Sequence, residues 1–426
     1  MRTQTKQSFF YGWVIVAACF MMQAIPFGVA QNIQPQFIGY VIEGEGFSLT
    51  QFSFVFSIGT IVSAMTSPFI GQLFDKPKMK VKVLYTIGAG LCGAGFLLFG
   101  YSHSLWAFYG VAAIVQVGTS MISSIGIPVM INMWFRSTSG KALGIAFAGG
   151  GIGNVVLQQI AAHTLASKGY SWSYIFFGSI SLAIGLPIAL FFIRRPQENE
   201  VEDYEKAQRK ADVQTAKQHG IQNQRWGYTL QELKKNKFFW LFGIGFGLVG
   251  IYVSGMCVQF MAYFKSLNFD AAMLGNIGSI FALFSIVGNV LGGWLFDKLG
   301  LKNCLCFAGV MIVACGLCLI FAPIVPFLAY IFAAGVGLTV FAYILGPSYM
   351  TGRLFGNKFY GAILGVIHIF FAIGYALGAV IFAMIVDASG NYGSAWLFMT
   401  SIGGICYILL IVAANHFLKQ SVQKIN

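Results

Sequence analysis

Long apolar runs fill most of the chain, and short polar or basic segments separate them. Twelve of these runs are about 20 residues or longer, the length that a helix rising roughly 1.5 Å per residue needs to cross a hydrocarbon core about 30 Å thick. The pattern therefore predicts twelve membrane-spanning helices, numbered span 1 to span 12. Their predicted ranges are 9–31, 52–73, 82–101, 105–133, 141–165, 172–193, 238–263, 271–295, 303–322, 325–350, 359–385 and 393–416.

One polar segment interrupts this pattern after span 6. Arg194-Arg195-Pro196 ends the apolar run, and the residues that follow are polar with interleaved charges and no sustained apolar face. The sequence thus predicts an N-terminal bundle of six spans over 1–193, a linker over 194–236 and a C-terminal bundle of six spans over 237–426.

Two short sequence motifs each occur twice, and the two copies are separated by nearly the same number of residues. The stretch 71–76, Gly-Gln-Leu-Phe-Asp-Lys, reappears as Gly-Trp-Leu-Phe-Asp-Lys at 293–298, which is 222 residues later. Gly-Lys-Ala-Leu-Gly at 140–144 is answered by Gly-Ala-Ile-Leu-Gly at 361–365, an offset of 221. Such repeats indicate two halves in the same orientation, as in alternating-access transporters. The expected fold is an all-α membrane protein built from two pseudo-symmetric six-helix bundles.

The composition agrees with a bilayer environment. Hydrophobic residues make up 57% of the chain and charged residues 9%, and the mean hydropathy is +0.75. Soluble globular proteins carry about 25% charged residues, so a soluble class is excluded. We expect the lipid bilayer as the surrounding partner.

The net charge of +13 indicates membrane topology and does not indicate a nucleic-acid partner. Only Lys168 and Lys265 fall on one side of the predicted spans, and the other 24 of the 26 Lys and Arg residues fall on the side of the termini and the linker. Lys and Arg accumulate in cytoplasmic loops. The sequence therefore predicts a plasma-membrane protein with both termini cytoplasmic, and span 1 is expected to be retained.

Polar residues concentrate in some spans and are missing from others. Spans 3, 6 and 9 have no Asn, Gln or His in their interiors, so their faces are expected to contact lipid. Spans 1, 4, 5, 7, 8 and 11 carry such residues, which need burial in protein or a water-filled cavity. The alternative for individual residues is that they only hold helices together. The candidate substrate-binding residues are His368, Asn289, Asn154, Gln158, Gln116, Tyr343, Tyr375, Gln31 and Asn32.

His368 is the one strong candidate for proton coupling. It lies ten residues beyond Lys358, roughly 15 Å into the membrane, and its counterpart at the offset of 221 is Phe147. Gly361, Gly365 and Tyr375 share its helical face, which leaves space beside the imidazole for a ligand. Because the unperturbed pKa of histidine is about 6.5, its charge can change in the physiological range. The alternative is a neutral histidine bonded within the bundle.

Several function classes find no support in the residues. No G-x-x-x-x-G-K-[ST] phosphate loop occurs, which argues against ATP-driven transport by this chain. A membrane enzyme would need a nucleophile, paired acids or a metal cluster within the spans. Cys315-x-x-Cys318 lies in an apolar run and is assigned to packing, so no metal or cofactor is expected. Secondary transport is the leading class, and a transporter-like receptor is the contrasting one.

The repeated turns resemble the signature loop of the major facilitator superfamily. The second copy also contains Gly300 and Lys302, whereas Lys78 replaces the corresponding glycine in the first. Further words resemble the monocarboxylate transporters and the oxalate/formate exchangers: Phe10-Tyr11-Gly12-Trp13-Val14, Trp134-Phe135-Arg136 before Gly140-Lys-Ala-Leu-Gly144, and Lys237-Phe-Phe-Trp240.

The resemblance implies a secondary active transporter of a small organic anion, with a monocarboxylate as the expected substrate. Spans 1–6 would rock against spans 7–12, with proton symport or anion exchange, and the chain would work as a monomer. The implied conformational-switch residues are Gly71, Asp75, Lys76, Gly293, Asp297, Lys298, Arg136 and Arg353.

The chain also departs from these families. They hold the anion with a basic residue in span 8 or span 11, or with a lysine in the outer half of span 1. Asn289 and Ile367 stand at the first two positions, and Gln31, Asn32 and Gln34 occupy the third region. An exporter of a neutral or amphipathic compound is therefore the competing hypothesis.

Overall fold

Helices account for nearly all of the structure. The computed structural model describes residues 10–75, 79–135, 139–197, 200, 227–356 and 360–425. The α-helices in these ranges are Gly12–Met22, Gln34–Glu45, Leu49–Asp75, Val81–Phe99, Leu105–Thr119, Gly126–Trp134, Ser139–Phe191, Leu230–Lys234, Lys237–Ser266, Ala271–Phe321, Leu328–Ile344, Gly346–Phe355, Tyr360–Ser389 and Tyr392–Ile425, with π-helical turns at Gln23–Asn32 and Ser120–Ser124.

The prediction of twelve spans is confirmed. Eleven helical segments among the described residues are long and apolar enough to cross a membrane. One of them, Ala142–Phe191, has 50 residues and would be about 75 Å long, which is enough for two crossings. It is broken at Gly169, whose φ of +80° is left-handed. Spans 5 and 6 are therefore separate crossings. The placement of the linker at 194–236 stays a prediction, since most of that segment lies outside the described ranges.

A single glycine joins span 8 to span 9. The helix Ala271–Phe321 is interrupted at Gly300, with φ +75° and ψ 163°, within the second copy of the repeated turn. Glycine adopts this conformation without the steric cost that a Cβ imposes. In the first copy, Met79 and Lys80 lie outside a helix and span 3 begins at Val81, whereas the corresponding residues Leu301 and Lys302 are helical. The two copies therefore connect their helices differently.

Span 1 is longer than the apolar run predicts. Instead of ending at residue 31, its helix continues to Glu45 and is capped by Gly46, with φ +71°. The added part carries Gln34 and Gln36, which are buried at 4% and 6% exposure. A criterion based on apolar runs stops at these residues, because it does not detect polar side chains that are buried in protein.

Close helix contacts at glycine occur at symmetry-related positions. A Cβ added to Gly153 in span 5 would lie 2.3 Å from the carbonyl oxygen of Ala24 in span 1. A Cβ added to Gly374 in span 11 would lie 1.8 Å from the carbonyl oxygen of Gly247 in span 7. Gly153 and Gly374 are 221 residues apart, so each half uses glycine to bring corresponding helices together.

The motifs at residues 10–14 and 134–136, which resemble those of the monocarboxylate transporters, contact each other at the end of the bundle near the linker. The rings of Phe10 and Trp134 are 5.7 Å apart and edge-on, and the Arg194 guanidinium lies 4.0 Å from the centroid of Tyr11. Arg194 also donates two hydrogen bonds to the Glu200 carboxylate, at 2.9 and 2.7 Å. This contact raises the pKa of Arg194 and lowers the pKa of Glu200. Spans 1, 4 and 6 are thereby fixed together.

Candidate substrate cavity

The two halves, spans 1–6 and spans 7–12, are bonded to each other toward one side of the membrane. We call the side with the termini and the linker the linker side, and the opposite side the far side. Between described residues, all hydrogen bonds from one half to the other lie toward the far side. These pairs are Lys265–Glu43, Thr50–Asp387, Gln259–Ser53, Ser57–Ala376, Gln159–Asn276 and Ser279–Val155.

One seam of this closure joins span 2 to spans 7 and 11. The buried Gln259 side chain donates to the Ser53 hydroxyl at 2.7 Å and to the Ala379 carbonyl at 3.2 Å. Ser57, one turn further along span 2, donates to the carbonyl of Ala376. Gln259 of span 7 thus forms hydrogen bonds with span 2 and span 11 at about the same depth in the membrane.

The second seam joins span 5 to span 8. Gln159 donates to Asn276 at 2.8 Å, and the Ser279 hydroxyl donates to the carbonyl of Val155 at 2.8 Å. A Cβ added to Gly278 would lie 2.5 Å from the amide oxygen of Gln158. The side chain of Gln158 therefore reaches the opposite half.

The same helix faces are exposed on the linker side. Ser57 is sealed against span 11, but Ile61 and Met65, four and eight residues further along span 2, are 50% and 67% exposed. Ala376 is sealed, whereas Ile369, two turns nearer the linker side, is 59% exposed. The space between the halves is consequently closed at the far side and open at the linker side.

Three of the predicted residues in the N-terminal half form one hydrogen-bonded network. Gln158 donates to the Asn32 carbonyl at 2.9 Å and to the Asn154 side chain at 3.0 Å. Gln36, which the sequence did not single out, donates to the side chain of Gln158, and Asn32 donates to the Gly150 carbonyl at 3.2 Å. Gln31 is partly exposed next to this network. Asn32, Asn154 and Gln158 therefore act as a unit.

In the C-terminal half, Tyr343 and Tyr375 belong to a larger cluster of phenols and thiols. The side chains of Tyr343 and Cys257 are neighbours, and the buried hydroxyls of Tyr252 and Tyr407 are 2.9 Å apart. The sequence indicated the first two tyrosines and missed the other members, because single tyrosines and cysteines in apolar runs show no distinctive spacing.

His368 is exposed on the linker-side part of span 11. It lies eight residues, about 12 Å, from the sealed Ala376, and it makes no hydrogen bond or ion pair with another described residue. Gly365, three residues away on the same face, has no atom within 4 Å of an added Cβ. Its counterpart Phe147 is also exposed, at 39%. The imidazole thus has room for a ligand.

Three glutamine and asparagine candidates have different environments. The amide oxygen of Asn289 is buried and has no hydrogen-bond partner among the described residues. Gln116 packs against Gly59 and accepts a hydrogen bond from Thr119 at 3.1 Å, so it joins spans 2 and 4. Gln23 accepts from Ser123 at 2.7 Å. This bond connects the π-helical turns of spans 1 and 4.

The structure describes only some of the predicted conformational-switch residues. Gly71 has no atom within 4 Å of an added Cβ, so this glycine makes no close contact with a neighbouring helix among the described residues. Arg353 is exposed and lines a cavity of about 310 Å³ with Gly300, Lys302 and Tyr349. Lys298 is exposed nearby. The side chains of Asp75 and Asp297, the surroundings of Gly293, and the residues Lys76 and Arg136 lie outside the described part.

We expect Gln158→Leu to destabilise the protein. The change would remove the side-chain partner of the Asn32 carbonyl and of the Asn154 amide oxygen, at about 1–3 kcal/mol for each unsatisfied group. The melting temperature of the purified protein in detergent should therefore fall clearly below that of wild type. Gln159→Leu is the matched control, because it removes one exposed bond. Equal melting temperatures for the two variants would contradict a structural network around Gln158.

Comparison with known proteins agrees with this architecture. A sequence profile of the major facilitator superfamily matches residues 12–265 and 259–424. Monocarboxylate transporter 12 of Homo sapiens is 24% identical over 407 residues, 91% of this chain and 77% of that protein. The membrane sensor protein UhpC of Escherichia coli is 22% identical over 78% of this chain and 77% of its own.

Solved structures show the same fold. The crystal structure of a bacterial homolog to the human lysosomal transporter Spinster, in an inward-facing and unoccupied conformation, superposes with a TM-score of 0.69 at 14% identity. The match covers 96% of this chain and 97% of that chain. With twelve spans in two bundles and a family match over nearly its whole length, the chain belongs to the major facilitator superfamily and is a membrane transporter rather than an enzyme.

Proposed function

We propose that this chain transports a small organic anion, in the first place a monocarboxylate, by alternating access with proton symport. The observation that carries the proposal is the position of His368. It is exposed in the linker-side part of span 11 and makes no hydrogen bond or ion pair with another described residue. Protonated, it would pair with a carboxylate, and deprotonated on the opposite side it would release it.

The direction of opening fits this cycle. The linker side, which carries 24 of the 26 Lys and Arg residues, would be cytoplasmic in a plasma-membrane protein. The structure is closed at the far side, so it would correspond to the state that exchanges substrate with the cytoplasm. The similarity to monocarboxylate transporter 12 supports the substrate class. We expect the monomer to be the working unit.

Transport of a neutral or amphipathic compound is the competing proposal. The candidate binding residues in the interiors of the spans other than His368 are uncharged, among them Asn154, Gln158, Asn289, Tyr343 and Tyr375. None of the described spans places a Lys or Arg at mid-depth. A site of amides and phenols recognises hydroxyl and amide groups without requiring a net charge.

Uptake into sealed proteoliposomes separates these possibilities. We expect labelled monocarboxylates to accumulate, and an inward proton gradient to increase the accumulation. Vesicles preloaded with unlabelled anion test exchange, because exchange would require the internal anion and symport would not. Absence of uptake for every carboxylate, together with uptake of a neutral solute, would favour the competing proposal. Binding without accumulation would indicate a receptor.

A further inference from the structure

An ion pair closes the far side between spans 1 and 7. The Lys265 ammonium donates to the Glu43 carboxylate and lies 4.3 Å from the centroid of the Tyr40 ring. The aliphatic part of Lys265 crosses Gly39, where an added Cβ would lie 2.7 Å from its Cδ. The lysine side chain is 21% exposed. It is therefore held in a fitted position against span 1.

A cavity of about 240 Å³ adjoins this ion pair. Gly39 and Glu43 line it from the first half, and Lys265, Ser266, Asn268 and Tyr392 line it from the second. The cavity combines an ammonium group with neutral hydroxyl and amide groups, and it is large enough for a small carboxylate. Ammonium and carboxylate form charge-assisted hydrogen bonds, which are stronger than neutral ones.

Positive charge is rare on this side of the protein. Lys168 and Lys265 are the only two Lys or Arg residues that the topology places there. Glu43 and Lys265 belong to different halves, so opening of the far side separates them. The ammonium is then available to an anion that enters from outside.

We propose that Lys265 binds the carboxylate of the incoming substrate when the far side is open, and that Glu43 occupies the same ammonium when the far side is closed. This inference rests on the proposed transport of organic anions and adds an entry site to it. Glu43 acts as an internal carboxylate that competes with the substrate. Substrate departure toward the centre would let the pair re-form and close the far side.

The test compares the two partners of the pair in uptake of a labelled monocarboxylate from the far side. Lys265→Met is expected to raise KM about tenfold, because it removes a charge-assisted contact. Glu43→Gln breaks the same pair but frees the lysine, so KM should stay unchanged or fall. Lys265→Arg should keep KM near wild type. Lys168→Met is the matched control for general surface charge and should leave KM unchanged.

The outcomes distinguish failure of the Lys265 entry site from failure of the proposed anion transport. A pair that only closes the gate predicts that Lys265→Met and Glu43→Gln shift KM in the same direction by similar factors, which would overturn this inference alone. An equal rise in KM for Lys168→Met would also overturn it, since the effect would then be non-specific. Failure of the wild-type chain to take up any carboxylate would overturn both this inference and the proposed function.

Discussion

His368→Gln is expected to abolish the stimulation of carboxylate uptake by a proton gradient. In symport of one proton with one anion, a gradient of one pH unit corresponds to about 1.4 kcal/mol and can drive roughly tenfold accumulation. Wild-type uptake should increase as the external pH falls, because histidine is the side chain whose charge changes most readily in the physiological range. Glutamine keeps hydrogen-bonding capacity and removes titration, so the variant should accumulate no substrate against its gradient. Uptake into vesicles with imposed gradients measures this directly.

His163→Gln provides the control for this experiment. His163 is an exposed histidine of span 5 that lies near the far side, well away from the open space around His368. Its replacement should leave gradient stimulation intact. A His368→Gln protein that folds normally and still responds to the gradient would refute the coupling role, and the proton pathway would then have to lie elsewhere.

Gly374→Val is expected to disrupt the C-terminal bundle. An added Cβ would lie 1.8 Å from the carbonyl oxygen of Gly247, and backbone atoms cannot move aside as a flexible side chain can. Overpacking of a well-packed core typically costs 1–3 kcal/mol, and a backbone clash of this kind should exceed about 3 kcal/mol. We expect poor yield and a melting temperature lower by about 5 °C or more. Thermal unfolding and size-exclusion profiles in detergent provide the measurement.

Gly365→Val is the matched control on the same helix. No atom lies within 4 Å of its added Cβ, so the same substitution adds no clash, and loss of a helical glycine removes a conformational cost. Its melting temperature should stay close to wild type. A similar loss of stability in both variants would show that span 11 is sensitive to any β-branched residue rather than to the contact with span 7.

The spans and the repeat are predictable from sequence, because the cost of burying backbone in lipid makes apolar run length a direct signal. The repeated words at residues 71–76 and 293–298 locate corresponding turns, and Gly300 marks the second of them. Their local geometry was not predictable. The helix break at Gly300 involves one residue, whereas Met79 and Lys80 of the first copy both lie outside a helix.

The candidate site was predictable only in part. Asn32, Asn154 and Gln158 were selected as polar residues in apolar runs, and the structure brings them together. Gln36 and Glu43 were missed, because they lie beyond the point where the apolar pattern of span 1 ends. The pairing of Glu43 with Lys265 joins residues more than 200 positions apart. No local pattern contains such information.

The single-residue joint at Gly300 also bears on biogenesis. Spans 8 and 9 form one helical stretch of 51 residues with only this interruption, so only a short polar segment around Gly300 separates them as they emerge from the ribosome. A span 8 that entered the bilayer alone would leave span 9 held at the membrane surface with its apolar side chains in water. The two helices are therefore expected to insert as a hairpin, and Gly300 would set the point at which the nascent chain reverses direction.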